Sequence, residues 1–410
     1  MTYVRPDGRA TDGLLPLVPH RLHGREEERR SIRSAFERVR RGAAEVMLLT
    51  GPAGIGKSAL AEEFGRSVGE RGAVFARGWF DPFHSTPLSG FRHALGQALA
   101  AHMERPAANR AALRELLHNR LGDGVGVIAQ LVSGLEQVVG ALPEPPPAPA
   151  SDEQNRFRLL MGRFTSALAS ADRPLVLLLD DLQWAEPSSV ELLSELVRTH
   201  SIDHTLILGG FRCERDGEDH PLLRLAADPP ADGMPLRRIT LDTLDRSSSR
   251  SLVADALQSD SATVAPLSDA VSRATGGNPL ALLRFLGVLR DQAVLRDGDG
   301  TSGWAWDMQQ VEQQALGRGS RILLERITDR LPEPTRANLE AAACLASEFS
   351  AVELARGRGT SVADTVMALQ PAVTQHLLRI VGDSPAINSP TTDRADLGYR
   401  FAHERIRHSL

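Results

Sequence analysis

Residues 45–58 read Glu45-Val-Met-Leu-Leu-Thr-Gly-Pro-Ala-Gly-Ile-Gly-Lys-Ser58, and this stretch decides the fold. Its first half, Glu45 to Thr50, is a short apolar run that ends in a Gly/Pro loop, as buried parallel strands do. Its second half fits the pattern GxxxxGK[ST] from Gly51 to Ser58. Glycine-rich backbone of this kind turns its N–H groups toward phosphates, and the helix that follows adds its positive N-terminal end. Gly51, Pro52, Ala53, Gly54, Ile55 and Gly56, with Ala59 just beyond, are therefore expected to cradle ATP or ADP. Lys57 is expected to reach the β- and γ-phosphates, and the Ser58 hydroxyl to ligate Mg2+. Chance alone places these neighbours around one lysine about once in a thousand cases.

The composition isolates the same position. Of 47 basic residues 46 are arginine, and the one lysine in the chain is Lys57. A GC-rich genome accounts for arginine at the other positions but not for the lysine that stayed. A compact ammonium fits a phosphate cradle closed by backbone amides, and a broad planar guanidinium does not. Elsewhere the chain is ordinary, with 42% hydrophobic and 24% charged residues and a formal net charge of -5. That balance gives no electrostatic case for nucleic-acid or anionic-membrane binding by the whole chain. No secretory leader and no membrane-length apolar run stand out, so a cytoplasmic location is the expectation. The two cysteines, Cys213 and Cys344, lack metal-ligand spacing.

Helical spacing of Leu60, Ala61, Phe64 and Val68 predicts a helix over 58–68, followed by a strand at 73–76. A mostly helical insertion fills 85–150 and ends in the proline-rich 142–150, a linker or surface loop. A helix over 155–170 leads to the most apolar strand, 174–179, and further strands lie at 205–208 and 238–241. Strands alternating with helices imply a parallel α/β sheet, a P-loop NTPase fold with helices on both faces. After Leu241 come three helices of a lid, at 247–257, 264–274 and 279–289, and a hairpin over 293–307. Helices near 321–331, 334–347, 350–356 and 361–370 precede short strands at 377–381 and 399–401, the pattern of a winged helix. The expected domains are an arm at 1–20, an ATPase core at 21–242, a lid with hairpin at 243–318 and a winged helix at 319–410.

Two acids follow the apolar strand. A carboxylate at the end of the strand beside the P-loop strand holds Mg2+ through its waters, which assigns Asp180 to the metal. Asp181 then orients or deprotonates the attacking water, or else caps the strand-to-helix loop. Gln183 and Trp184 complete the run, Trp184 as a packing residue. Arg212, at the end of Leu206-Ile-Leu-Gly-Gly-Phe-Arg212, reaches the γ-phosphate or is a solvated strand end. Gly277-Asn278-Pro279 makes a sound helix start, with Asn at the cap and Pro in the first turn.

Taken together, GREEE (Gly24 to Glu28), GPAGIGKS, LVLLLDDLQWAE (Leu175 to Glu186), LILGGFR, ATGGNPLAL (Ala274 to Leu282) and YRFAHERIRHSL (Tyr399 to Leu410) resemble the STAND class of signalling ATPases. The similarity is to its branch with origin-recognition-like AAA ATPase domains and covers nearly the whole chain. It looks most like the ATPase segment of large bacterial signalling proteins that carry kinase or cyclase domains. Similar modules precede LuxR-type DNA-binding domains. The resemblance implies an ATP-dependent switch with slow hydrolysis, working on protein partners or an output domain and capable of nucleotide-dependent oligomerisation. It also implies that Gly24 and Arg25 line the adenine pocket, that Pro279 packs on the base, and that His403 senses the β-phosphate. The last motif here is FAHER where relatives have MHD. Family members continue past the winged helix, so the end at Leu410 in mid-helix is read as a truncation. A motor would need a ring-type arginine finger, and none stands out. A DNA-binding regulator would need a basic recognition helix, whereas Ser361 to Leu369 carries no lysine or arginine.

Overall fold

The structure is a computed structural model that describes residues 19, 21–81, 86–140, 150–199, 201–213, 220–297, 304–316, 331–374, 377–381, 397–402 and 407. The chain divides into two compact units, one running from Arg25 to Asp242 and the other joining the residues before Arg25 to Thr243–Leu410.

The Arg25–Asp242 unit opens with α1 (Glu26–Arg40), whose apolar stripe Ile32, Ala35, Phe36 and Val39 is buried. The P-loop strand β1 (Ala44–Gly51) is buried along its whole length, as its unbroken apolar run requires. α2 (Lys57–Gly69) and β2 (Val74–Trp79) follow. The insertion resolves into α3 (Ser89–Met103), α4 (Ala107–Leu121), α5 (Val125–Ala129) and α6 (Leu135–Val139). The proline-rich linker lies outside the described residues, apart from Ala150. α7 (Ala150–Ala167) leads into β3 (Leu175–Asp180), also wholly buried. Then come a 3-10 turn (Leu182–Trp184), α8 (Pro187–Thr199), β4 (Thr205–Arg212), α9 (Pro221–Ala227) and β5 (Leu236–Thr240).

All five strands pair in parallel, in the order β2-β3-β4-β1-β5. One expectation is corrected here. The neighbour of the P-loop strand on the side of the acids is β4, so the strand that ends in Asp180 lies one place farther out. Crossover connections bring β4 back between β1 and β3, in the register Leu48↔Gly209, Leu49↔Gly210 and Gly51↔Arg212. Arg212 is thereby the residue opposite the first glycine of the loop.

In the second unit α10 (Arg246–Ala256), α11 (Ala265–Thr275) and α12 (Pro279–Asp291) occupy the expected lid segments and share a core around Leu252, Val271, Phe285 and Leu289. The hairpin is β6 (Leu295–Asp297) paired antiparallel with β7 (Trp304–Trp306), followed by α13 (Met308–Leu316). Trp304 and Trp306 both pack on this core. Farther on stand α14 (Glu333–Leu345), β8 (Glu348–Ser350), α15 (Ala351–Arg358), α16 (Val362–Thr374), β9 (Leu378–Val381) and β10 (Gly398–Phe401). The strands form an antiparallel sheet ordered β8-β10-β9, where the sequence indicated two strands. β8 is three residues long, with only Phe349 buried, too short to show an alternating pattern. The helix expected at 321–331 lies, except for Leu331, outside the described residues. Among the described residues no helix is long and apolar enough to cross a membrane.

Candidate functional site

Between β1 and α2 the backbone passes through the left-handed region at Gly51 (φ 143°), Gly54 (φ 76°) and Gly56 (φ 103°). At Gly51 a side chain is excluded twice over, because a Cβ would also meet the Leu241 carbonyl oxygen at 2.6 Å. Gly56 caps α2 and makes no side-chain cap bond, so the first N–H groups of the helix have no side-chain acceptor there. Such an end is suited to an anion. The Lys57 side chain is only 9% exposed, and its Nζ donates to the carbonyl oxygens of Gly51 (2.8 Å) and Pro52 (3.0 Å). Burial pulls the ammonium down to about 8, opposed by the charges of Asp180 and Asp181 and assisted by Arg212. The two acids and Arg212 thus each act on the Lys57 ammonium although they come from separate segments of the chain.

Asp180 is 3% exposed. Its Oδ1 accepts from the Asp181 N–H at 3.1 Å, and its Oδ2 accepts from Arg77 Nη2 at 3.1 Å. Arg77, on β2, pairs through Nη1 with Glu62 of α2. Because β4 separates β3 from the loop strand, the Asp180 side chain needs room over β4, and Gly210 supplies it. A Cβ at Gly210 would lie 2.3 Å from Asp180 Oδ1. On the opposite face, Gly209 leaves space that Leu182 and Leu48 fill. Gly210→Ala is therefore expected to destabilise the protein by about 1–3 kcal/mol and to displace the Asp180 carboxylate. Urea denaturation together with a Mg2+ titration of nucleotide binding checks this, and a variant with unchanged stability and metal response would contradict it.

Asp181 adopts φ 58°, a left-handed backbone that a short acid tolerates better than most residues. Its Oδ1 accepts from Gln183 Nε2 at 2.9 Å, and Gln183 Oε1 in turn accepts from the Arg212 N–H at 2.8 Å. Glu186, just beyond, accepts from Leu88 N–H, Ser188 and Ser189, and so anchors the start of α8.

Arg25 is 5% exposed, and its Nη2 donates to the carbonyl oxygens of Ile55 (3.0 Å) and Asp242 (2.6 Å). Its guanidinium braces the phosphate loop against the chain leaving β5. Gly24 (φ 64°) belongs to the other unit, where a Cβ would meet Ser248 Oγ at 2.3 Å. His23 Nε2 lies 2.9 Å from Asp255 Oδ2 in that unit. Pro279 opens α12, with Asn278 Oδ1 accepting the Ala281 N–H at 3.2 Å. Gly277 (φ 73°) is held by a close approach, since a Cβ would meet the Leu244 carbonyl oxygen at 2.6 Å. Packing accounts for Gly24 of GREEE and for Gly277 of GGNP. His403 lies outside the described residues.

The residues fit a nucleotide and its metal. A cradle of left-handed glycines, an uncapped helix start and a buried ammonium match phosphate. Among the described residues no three or more His, Cys, Asp or Glu cluster as metal ligands. Mg2+, which usually takes one or two protein oxygens and completes its shell with phosphates and water, is compatible with Ser58 and Asp180. Such an ion would neutralise charge on the phosphates. Sequence reasoning missed the contacts of Arg77, Gly210 and Gln183. Gln183 left a trace in its place in the run after the acids, and Gly210 in the motif LILGGFR.

Residues 21–208 match the family profile described as the AAA ATPase domain. Hybrid signal transduction histidine kinase G of Dictyostelium discoideum is 22% identical over 397 aligned residues, covering 82% of this chain and 11% of that protein. Among solved structures, a signal transduction ATPase with numerous domains from Pyrococcus horikoshii, which carries a tetratricopeptide repeat sensor, is 14% identical. It covers 96% of this chain and 43% of that one, with a TM-score of 0.49. Cdc6p from Pyrobaculum aerophilum is 12% identical, with 96% and 94% of the two chains covered and a TM-score of 0.41. The chain thus spans about a tenth of the kinase and less than half of the Pyrococcus protein.

Proposed function

We propose that this chain, whose residues 21–208 match the AAA ATPase domain profile, works as an ATP-binding, slowly hydrolysing signalling switch of the STAND type. The observation that carries the reading is that Asp180, Asp181 and Arg212 stand at the C-terminal ends of the parallel strands β3 and β4, Arg212 opposite Gly51, where the glycine loop that carries Lys57 leaves β1. Ligands of open α/β sheets bind at that edge. Lys57 and the Gly51–Ala59 loop bind the phosphates, Ser58 and Asp180 hold Mg2+, and Asp181 orients the attacking water. Arg212, ending the strand next to the loop, reports the γ-phosphate. The partial match to a hybrid signal transduction histidine kinase supports an output carried by protein partners or by domains of a larger signalling protein. Adenine recognition by Gly24, Arg25 and Pro279 and phosphate sensing by His403 rest on the STAND resemblance.

A switch must hold each state long enough to be read. Purified protein is therefore expected to retain ADP and to turn ATP over far more slowly than the ~10 per second of a typical enzyme. Nucleotide content after purification and a basal phosphate-release assay test this. Fast multiple turnover with no retained ADP would favour a motor.

A further inference from the structure

We infer that Gln183 is the positioning residue that couples Asp181 to the strand end carrying Arg212. The inference rests on the proposed function above and adds a residue to which that reading gives no role.

The geometry is specific. The side-chain amide of Gln183 spans two partners, donating from Nε2 to Asp181 Oδ1 (2.9 Å) and accepting at Oε1 from the Arg212 N–H (2.8 Å). Only one orientation of the amide satisfies both bonds. Turned over, it would set oxygen against carboxylate and NH2 against N–H. Glutamine is thus chosen for carrying a donor and an acceptor on one rigid plane. Glutamate and leucine each lack at least one of them.

The backbone shows what the bridge connects. Asp181 sits at φ 58°, between the end of β3 and the 3-10 turn and beyond the last paired residue of that strand. β4 terminates at Arg212, opposite Gly51 in the sheet. The amide therefore ties the side chain placed for the attacking water to the backbone of the residue placed for the γ-phosphate. A shift of either is transmitted to the other through two hydrogen bonds.

Three variants separate this from a purely structural role. Gln183→Leu removes both bonds, while Gln183→Glu keeps the acceptor for Arg212 but cannot donate to Asp181. Asp181→Asn provides the reference for the acid itself. Hydrogen exchange of the Arg212 amide in nucleotide-free protein reads one half of the bridge. It should accelerate about tenfold in Gln183→Leu and stay near wild type in Gln183→Glu. Single-turnover hydrolysis of saturating Mg-ATP reads the other half. Both Gln183 variants should be slowed about tenfold or more at unchanged nucleotide affinity, and Gln183→Leu should add little in an Asp181→Asn background.

Wild-type hydrolysis in Gln183→Leu with Asp181→Asn slow would overturn the coupling and leave the ATPase reading standing. Losses in Gln183→Leu and Asp181→Asn that simply multiply would do the same. If Asp181→Asn hydrolyses like wild type, the assignment of Asp181 fails, and this inference fails with it. Unchanged exchange at Arg212 in Gln183→Leu would overturn the bridge independently of any turnover.

Discussion

Replacing Lys57 by alanine is expected to weaken Mg-ATP binding by at least about a hundredfold while leaving the fold in place. The ammonium is buried beside the Gly51 and Pro52 carbonyls, and a charge-assisted bond from it to a phosphate, about 1.5–3 kcal/mol, is of the size of that loss. Stability should change little, because burying that charge already costs desolvation, which is what lowers the ammonium to about 8. Lys57→Arg should also bind poorly, since the guanidinium fork needs more width than an ammonium in a loop closed by backbone. Isothermal titration with Mg-ATP, alongside thermal unfolding, measures both. Wild-type affinity in the arginine variant would remove the explanation for the single lysine among 47 basic residues.

The paired acids are expected to separate. Asp180→Asn should lose Mg2+-dependent nucleotide binding about tenfold or more. It also loses the carboxylate that faces Arg77 Nη2 at 3.1 Å, so a modest fall in melting temperature should accompany it. Asp181→Asn keeps an oxygen for the Gln183 amide and tolerates the left-handed backbone, so binding should persist. Hydrolysis should fall about a hundredfold, the usual size of an acid–base or water-orienting contribution. Equal loss of binding in both variants would place Asp181 with the metal or the scaffold and end its assignment to the attacking water.

The local chemistry was legible in the sequence. A glycine loop between an apolar run and an amphipathic helix, closed by the one lysine, is suited to a phosphate because backbone conformation, dipole and charge are set within one short stretch. The same holds for the capped helix start at Asn278-Pro279 and for β3, whose continuous apolar run states that both faces are buried. Strand order was not legible, because pairing partners are chosen by crossovers between segments far apart in the chain. Only the tertiary structure placed β4 between the loop strand and the acids. That placement gives Gly210 its reason, as the space into which Asp180 extends, and puts Arg212 opposite Gly51. It also brings together Arg77 with Asp180 and Gln183 with the Arg212 backbone, contacts 103 and 29 residues apart in sequence. Residue types and local spacing mark the loop of this chain as suited to a phosphate group. The packing of distant strands decided which side chains surround it.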